Sequence, residues 1–272
     1  MGTLYLVATP IGNLEDLSPR AIRILREVRL IAAEDTRQTQ KLLTHFDIHT
    51  KTTSYFEHNK LTKLDEILAK LVEGDVALVS DAGMPAINDP GYELVKAALA
   101  SGFDVRPVPG PSAPIAALAV SGLPTDSFLY LGYLPRKSSE RRAFVGQVSS
   151  LPYTLIFFET PHRLLDSLDD LLAMLGDRPM AVARELTKLH EEIFRGAVSS
   201  VRAHFTAQEP RGEFVLVVEG KKTVDGERWT DKQLMTAIHK GLEEGEPPSQ
   251  LAGRLAEESG WKRREVYKLI AA

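Results

Sequence analysis

Five strand-like runs recur along the first 122 residues: Leu4 to Ala8, Val28 to Ala33, Thr52 to Phe56, Val76 to Val79 and Val105 to Val108. Each runs into a turn-rich loop and then a helix-like segment, beginning with Ser18-Pro19, an N-cap followed by proline at the first helical position. Short, nearly continuous apolar runs alternating with helices are what a sheet covered on both faces requires. The alternation therefore predicts an α/β domain with a largely parallel sheet over residues 1–122.

The loops carry the unusual chemistry. Ser80 to Gly91 holds two prolines and two glycines, which stiffen the backbone or allow positive φ, and it lies at the carboxyl end of a strand. Ligands bind at that end of open α/β sheets, because the strand-to-helix loops converge there. Thr9 to Leu14 and Pro109-Gly110-Pro111-Ser112-Ala113 fall at the same end, the latter presenting the free N–H groups of a helix start. In Ala33-Glu34-Asp35-Thr36-Arg37, two acids beside an arginine suit a polar substrate or a proton acceptor. Equally, Asp35 or Thr36 caps the following helix while Arg37 pairs with an acid. His58, in Glu57-His58-Asn59, reads more simply as a structural hydrogen-bonder than as a catalyst.

Several functional classes are disfavoured. The chain has neither Gly-x-Gly-x-x-Gly nor Gly-x-x-x-x-Gly-Lys-Ser/Thr, which argues against NAD enzymes and P-loop NTPases. No Gly-x-Ser-x-Gly elbow supports a hydrolase, and His190 to Phe194 puts Phe194 where a zincin needs its second histidine. Absence of cysteine removes disulfides, thiolate nucleophiles and cysteine metal sites, and the sequence holds no other metal constellation, so no metal is expected. A net charge of −4 over 272 residues excludes bulk polycationic binding, so any nucleic-acid contact must come from local patches. Without a basic, apolar leader or a run of roughly 20 apolar residues, the expected location is the cytoplasm.

Gly122 to Thr125 reads as a linker to a second α/β domain over residues 123–220, beginning with Phe128 to Leu134. Further strands are expected at Leu155 to Phe158, Met180 to Arg184, Glu192 to Arg195 and Phe214 to Val218. The last two are separated by one short helix, Val198 to Phe205, which suggests a partly antiparallel, hence mixed, sheet. Residues 221–229 form a polar linker to a three-helix module over 230–272. There, Thr230 and Gln233 make a capping box, Ser259-Gly260-Trp261 a turn, and Leu251, Leu255, Val266, Leu269 and Ile270 a candidate core. With Lys262, Arg263 and Arg264 opening the last helix, the module reads as helix-turn-helix-like or as a small packing bundle.

Taken together, the loops resemble the S-adenosylmethionine-dependent tetrapyrrole methylase superfamily, and in particular its ribosomal branch, the small-subunit rRNA (cytidine-2′-O)-methyltransferases. The matching segments are Val7 to Leu14, Ala33 to Arg37, Ser80 to Gly83, Asp89 to Gly91, Pro109 to Ala113, Glu159-Thr160-Pro161-His162-Arg163 and Ala183 to Lys188. Met84, Asn88 and Lys60 depart from the pattern. The resemblance implies S-adenosylmethionine in a cleft between the two domains, lined by Pro10, Ile11, Asp81, Met84, Ile87, Ser112, Ala113, Phe158 and Leu186. It implies 2′-O-methylation of a cytidine in the decoding region of 16S rRNA on the small subunit, by a homodimer. Glu34 and Asp35 are then candidate bases, and Arg37 and Lys188 position the ribose-phosphate. For RNA contact the candidates are Arg136, Lys137, Arg141, Arg142, Arg163 and the Lys262, Arg263, Arg264 cluster. A methyltransferase acting on a corrin precursor and a non-catalytic RNA-binding relic are the alternatives, since fold alone does not choose the acceptor.

Overall fold

All five strand-like runs of the first 110 residues become parallel strands, and the two central ones, Leu30–Ala33 and Val76–Val79, are buried at every residue. The computed structural model describes residues 2–57, 60–222 and 229–271. These fall into two compact units, residues up to Ser149 with Tyr153–Glu219, and Ser150–Pro152 with the chain from Gly220 onward. His58 and most of the proposed linker (223–228) lie outside the described residues.

In the first unit, β1 (Thr3–Val7), β2 (Leu30–Ala33), β3 (Thr52–Ser54), β4 (Val76–Val79) and β5 (Asp104–Val108) form one sheet in the order β3-β2-β4-β1-β5. The helices α1 (Pro19–Glu27) and α2 (Thr36–His45) pack on one face through Ile24, Leu25, Leu42 and Leu43. On the other, α3 (Lys60–Glu73) and α4 (Tyr92–Ala100) bury Ile67, Leu71, Leu94 and Ala98. The strand order reverses between β1 and β4, so their loops emerge side by side where a crevice must open.

After α5 (Ala113–Ser121), a second sheet is built from β6 (Phe128–Tyr133), β7 (Thr154–Glu159), β8 (Pro179–Arg184), β9 (Glu192–Ala197) and β10 (Phe214–Val218). Its order is β6-β7-β10-β8-β9, parallel only at β6–β7. The sheet is mixed as expected, but not because β9 and β10 pair. Antiparallel partners of β10 are β7 and β8, with the helix α8 (Val198–Ala207) carrying the chain between β9 and β10. One face packs on α8, α6 (Ser138–Val148) and α7 (Leu164–Leu175); the other receives α5, whose Ala117 and Leu118 meet Ile156, Ala181 and Val215. Read from sequence as the end of the first domain, α5 thus packs on the second sheet, because its apolar residues need a buried face and find one there.

The second unit contains α9 (Asp231–Glu243), α10 (Pro248–Ser259) and α11 (Arg263–Ile270). Its core is Leu234, Ile238, Leu251, Leu255 and Val266, with Leu269 and Ile270 half-buried against it. The Thr230–Gln233 capping box is present, and Gly260 takes the left-handed conformation that ends α10 (φ 69°). Among the described residues no helix is long and apolar enough to cross a membrane.

Candidate active site

Where β1 and β4 end, their loops are sewn together. Thr9 and Gly83 exchange backbone hydrogen bonds of 2.9 and 3.1 Å, and the Thr9 hydroxyl donates to the Ser80 carbonyl at 3.1 Å. A second stitch joins the β2 and β4 loops: the Asp35 N–H donates to Asp81 Oδ1 at 3.1 Å, and the Asp81 N–H to Glu34 Oε2 at 3.2 Å. These bonds hold Glu34 and Asp81 beside one cleft of about 240 Å³ between the two sheets, which Asp89 also lines. Ile11, Met84, Ile87, Phe158 and Leu186 supply its apolar walls, and Ser112 and Ala113 the start of α5.

The opposite wall depends on an irregular strand. Two residues three apart on a regular strand face opposite sides, yet Tyr130 and Tyr133 both line the cleft. The register of β6 against β7 shifts between them, and Gly132 sits at φ 65°; this bulge turns both rings the same way. Gly132 is required for a second reason, since a Cβ there would lie 2.4 Å from the Asn88 side-chain amide. The Tyr130 hydroxyl is buried with no hydrogen-bond partner among the described residues.

Two loops at the mouth are strained. Ala86 and Asn88 adopt φ of 68° and 64°, and Glu185 and Thr187 φ of 51° and 65°, values that asparagine tolerates but that Ala86, Glu185 and the β-branched Thr187 reach only when the surroundings impose them. The Thr187 conformation is supported by Gly12, where a Cβ would stand 2.8 Å from Thr187 Oγ1 and 2.9 Å from the Leu186 carbonyl. Lys188 Nζ binds Glu185 at 2.9 Å and Glu213 at 3.1 Å, closing that loop onto the start of β10.

Crowded carboxylates shift one another's acidity. Burial, then repulsion from Glu34, pushes Asp89 up to about 6 despite a hydrogen bond from Ser80. Burial likewise raises Glu34 and Asp81, against the N–H each accepts. Asp35 goes the other way, to about 2, because Arg37 hydrogen-bonds it. Tyr130 is raised by burial and then by Asp89, so its phenol stays protonated.

The sequence candidates sort accordingly. Of the nine proposed cofactor residues all but Pro10 line the cleft, as does Glu34. Asp35 instead caps α2 through the Arg37 N–H at 2.8 Å and pairs with the Arg37 guanidinium at 2.7 Å, the structural alternative; neither lines the cleft, nor does Lys188. Arg141 is corrected: it is 3% exposed and its guanidinium binds the buried Asp170, leaving nothing to offer a polyanion. Arg163 clasps the fully buried Glu159 carboxylate at 2.5 Å and is only partly open. Arg142 shares Asp170 but is half-exposed, Lys137 pairs with Glu140, and Arg136 is exposed. Sequence reasoning assigned no role to Asn88, Asp89, Tyr130, Tyr133 or Glu213. Asp89 could have been found from its place in the proline- and glycine-rich loop, whereas the tyrosines need the bulge.

A cleft at a topological switch point, covered by a second mixed sheet, defines a two-sheet α/β ligand-binding class. The family of Tetrapyrrole (Corrin/Porphyrin) Methylases matches residues 3–202, and this chain belongs to it. Solved structures bear out the fold: the methyltransferase CobJ aligns with TM-score 0.61 at 17% identity, over 81% of this chain and 95% of that one. Diphthine synthase aligns with TM-score 0.57 at 16% identity, over 81% and 90%. Among curated relatives, Ribosomal RNA small subunit methyltransferase I of Halalkalibacterium halodurans is 48% identical over 98% of this chain and 94% of that protein. Its namesake in Synechocystis is 47% identical over 99% and 97%, and that of Escherichia coli O157:H7 is 46% identical over 98% and 94%.

Proposed function

We propose that this methylase transfers a methyl group from S-adenosylmethionine to the 2′-hydroxyl of a cytidine in the decoding region of small-subunit rRNA, in the cytoplasm. The observation that carries the reading is identity of 46–48% to rRNA small subunit methyltransferases along nearly the whole chain, including the helical module. The cleft fits the cofactor by the chemistry of its donors. A sulfonium cation suits a site bordered by the Asp81 carboxylate, and an adenine suits apolar walls from Ile11, Met84, Phe158 and Leu186. The buried, unpartnered Tyr130 hydroxyl offers a donor to a polar ligand.

Bound cofactor supplies an electrophilic methyl, displaced in line by the acceptor oxygen. The chain's own contribution is alignment, excluded water and a place for the hydroxyl proton. Two acidic side chains of the lining, Glu34 and Asp89, are the candidates to take that proton, and Arg37 and Lys188 are assigned to position the ribose-phosphate. RNA contact falls to Arg136, Lys137, Arg142 and the α11 cations. A homodimer is expected, supported by the uncovered apolar residues Ile115 and Val120 on α5.

The test is transfer of labelled methyl to small ribosomal subunits lacking the modification, followed by nuclease digestion and nucleoside mass analysis. Label in 2′-O-methylcytidine is the expected result. Cofactor binding without label in RNA, but with label in a corrin precursor, would move the assignment to small-molecule acceptors.

A further inference from the structure

Two concavities of the first unit share a wall. Besides the inner cleft, an outer groove of about 480 Å³ is bordered by Glu57, Pro90, Tyr92 and Glu93, and the two have Glu34, Asn88 and Asp89 in common. A side chain bordering both can touch the molecules in each: a methyl donor inside and its acceptor outside. Of the three, the Asn88 amide cannot take up a proton. Glu34 accepts from the fixed backbone N–H of Asp81 at 3.2 Å, whereas Asp89 accepts from the side chain of Ser80. Asp89 sits in the loop strained at Ala86 and Asn88, and a Cβ on neighbouring Gly91 would lie 2.8 Å from the Ala86 Cβ, so the loop has little room to move.

We propose that Asp89 takes the proton of the acceptor hydroxyl as that oxygen receives the methyl group, an inference that rests on the methyl-transfer function above. The oxygen–methyl bond forms, the methyl–sulfur electron pair remains on sulfur, and the hydroxyl proton passes to an Asp89 carboxylate oxygen. Charge balances, since one cation and one carboxylate are both neutralised. The ionisable groups that line the two concavities with Asp89 are Glu34 and Asp81 from the β2 and β4 loops, Tyr130 and Tyr133 from β6, Glu159 at the end of β7 and Glu213 before β10, and Glu57, Tyr92 and Glu93 on the groove side. No cation acts on Asp89 among the groups that shift it. Burial and its acidic neighbours thus leave it ionised at neutral pH yet basic enough to accept a proton, the balance a general base needs.

The experiment compares the wild-type chain with Asp89→Asn, Asp89→Glu and Glu34→Gln in three readouts. The first is the ¹³C carboxyl titration of the cofactor-free protein, in which one aspartate signal should titrate near pH 6 and vanish in Asp89→Asn. The second is S-adenosylmethionine binding by calorimetry, expected to hold within about threefold, since an amide still fits. The third is single-turnover methyl transfer to undermodified subunits across pH. Wild-type rate should climb about tenfold per unit below pH 6 and level above it; Asp89→Asn should lose this limb and about 10²- to 10⁴-fold in rate at pH 8. Asp89→Glu should restore part of both. Transfer by Asp89→Asn within threefold of wild type, or an acid limb abolished by Glu34→Gln instead, overturns the proposal alone. Cofactor binding lost in Asp89→Asn in step with the rate overturns it too, making Asp89 a cofactor ligand. A wild-type chain that methylates no RNA overturns the functional reading as well.

Discussion

At the scale of single residues, the cleft stores unfavourable free energy that a ligand can release. Asp89 is more basic folded than unfolded, so the folded chain binds its proton more tightly, and its ionisation destabilises the fold as pH rises from about 4 through about 6. Replacing it by asparagine should therefore raise the melting temperature at pH 8 and do nothing near pH 4. The gain is at most about 2 kcal/mol once its partial exposure is discounted. Equal melting shifts at both pH values would show that charge is not the cause. Tyr130 makes the complementary case, because its hydroxyl is buried without a partner among the described residues. Removing an unsatisfied group relieves a penalty of about 1–3 kcal/mol. Tyr130→Phe should stabilise the free protein in urea unfolding while weakening S-adenosylmethionine about tenfold in calorimetry. Legibility at this scale followed the loops: Ser80 to Gly91 announced itself by its prolines and glycines, and eight of nine proposed cofactor residues border the cleft. Arg141 could not be read as buried, because its partner Asp170 lies 29 positions away on another helix.

At the scale of elements, strands were legible because both faces of a buried strand must be apolar, and the runs at Val76 to Val79 and Phe214 to Val218 are short and rich in β-branched valine. Pairing was less so. That β10 inserts between β7 and β8, and that α5 crosses to the second sheet, follows from which apolar faces meet in space, which no local pattern encodes. The bulge in β6 was equally hidden, since a glycine in a strand can mark a bulge or only a close approach, and Gly132 does both. Loop packing makes one sharp prediction. A methyl at Gly12 would collide with Lys188 Cγ at 2.5 Å and with the Leu186 carbonyl at 2.9 Å, and a backbone atom cannot swing aside. Gly12→Ala should displace the 186–188 loop and cost cofactor affinity tenfold or more, with a loss of about 1–3 kcal/mol in stability. Gly102→Ala is the control: nothing lies within 4 Å of its Cβ, so it should spare binding and show only the strain of φ 79°.

At the scale of the whole molecule, an acidic chain must bind RNA through patches, and the described cations divide into those spent on the fold and those open to solvent. In the first unit Arg141, Arg163 and Arg202 are engaged by Asp170, Glu159 and Asp169. On α11, by contrast, Arg264 and Lys268 flank a shallow depression with Arg263 and the half-exposed Tyr267, a stacking surface between cations. Arg263 donates to Ser249 at 3.2 Å and so helps hold the helix turn; Lys262, Arg264 and Lys268 can change without touching that bond. The triple substitution Lys262→Gln, Arg264→Gln, Lys268→Gln should leave cofactor binding intact, because the cleft is lined by the first unit alone. Affinity for small subunits should fall, and the slope of log K against log salt should shrink by about 0.7–0.9 for each phosphate that is no longer neutralised. An unchanged slope would assign the module to packing, the alternative its helix-turn-helix pattern leaves open, and would return RNA binding to Arg136, Lys137 and Arg142 beside the second sheet.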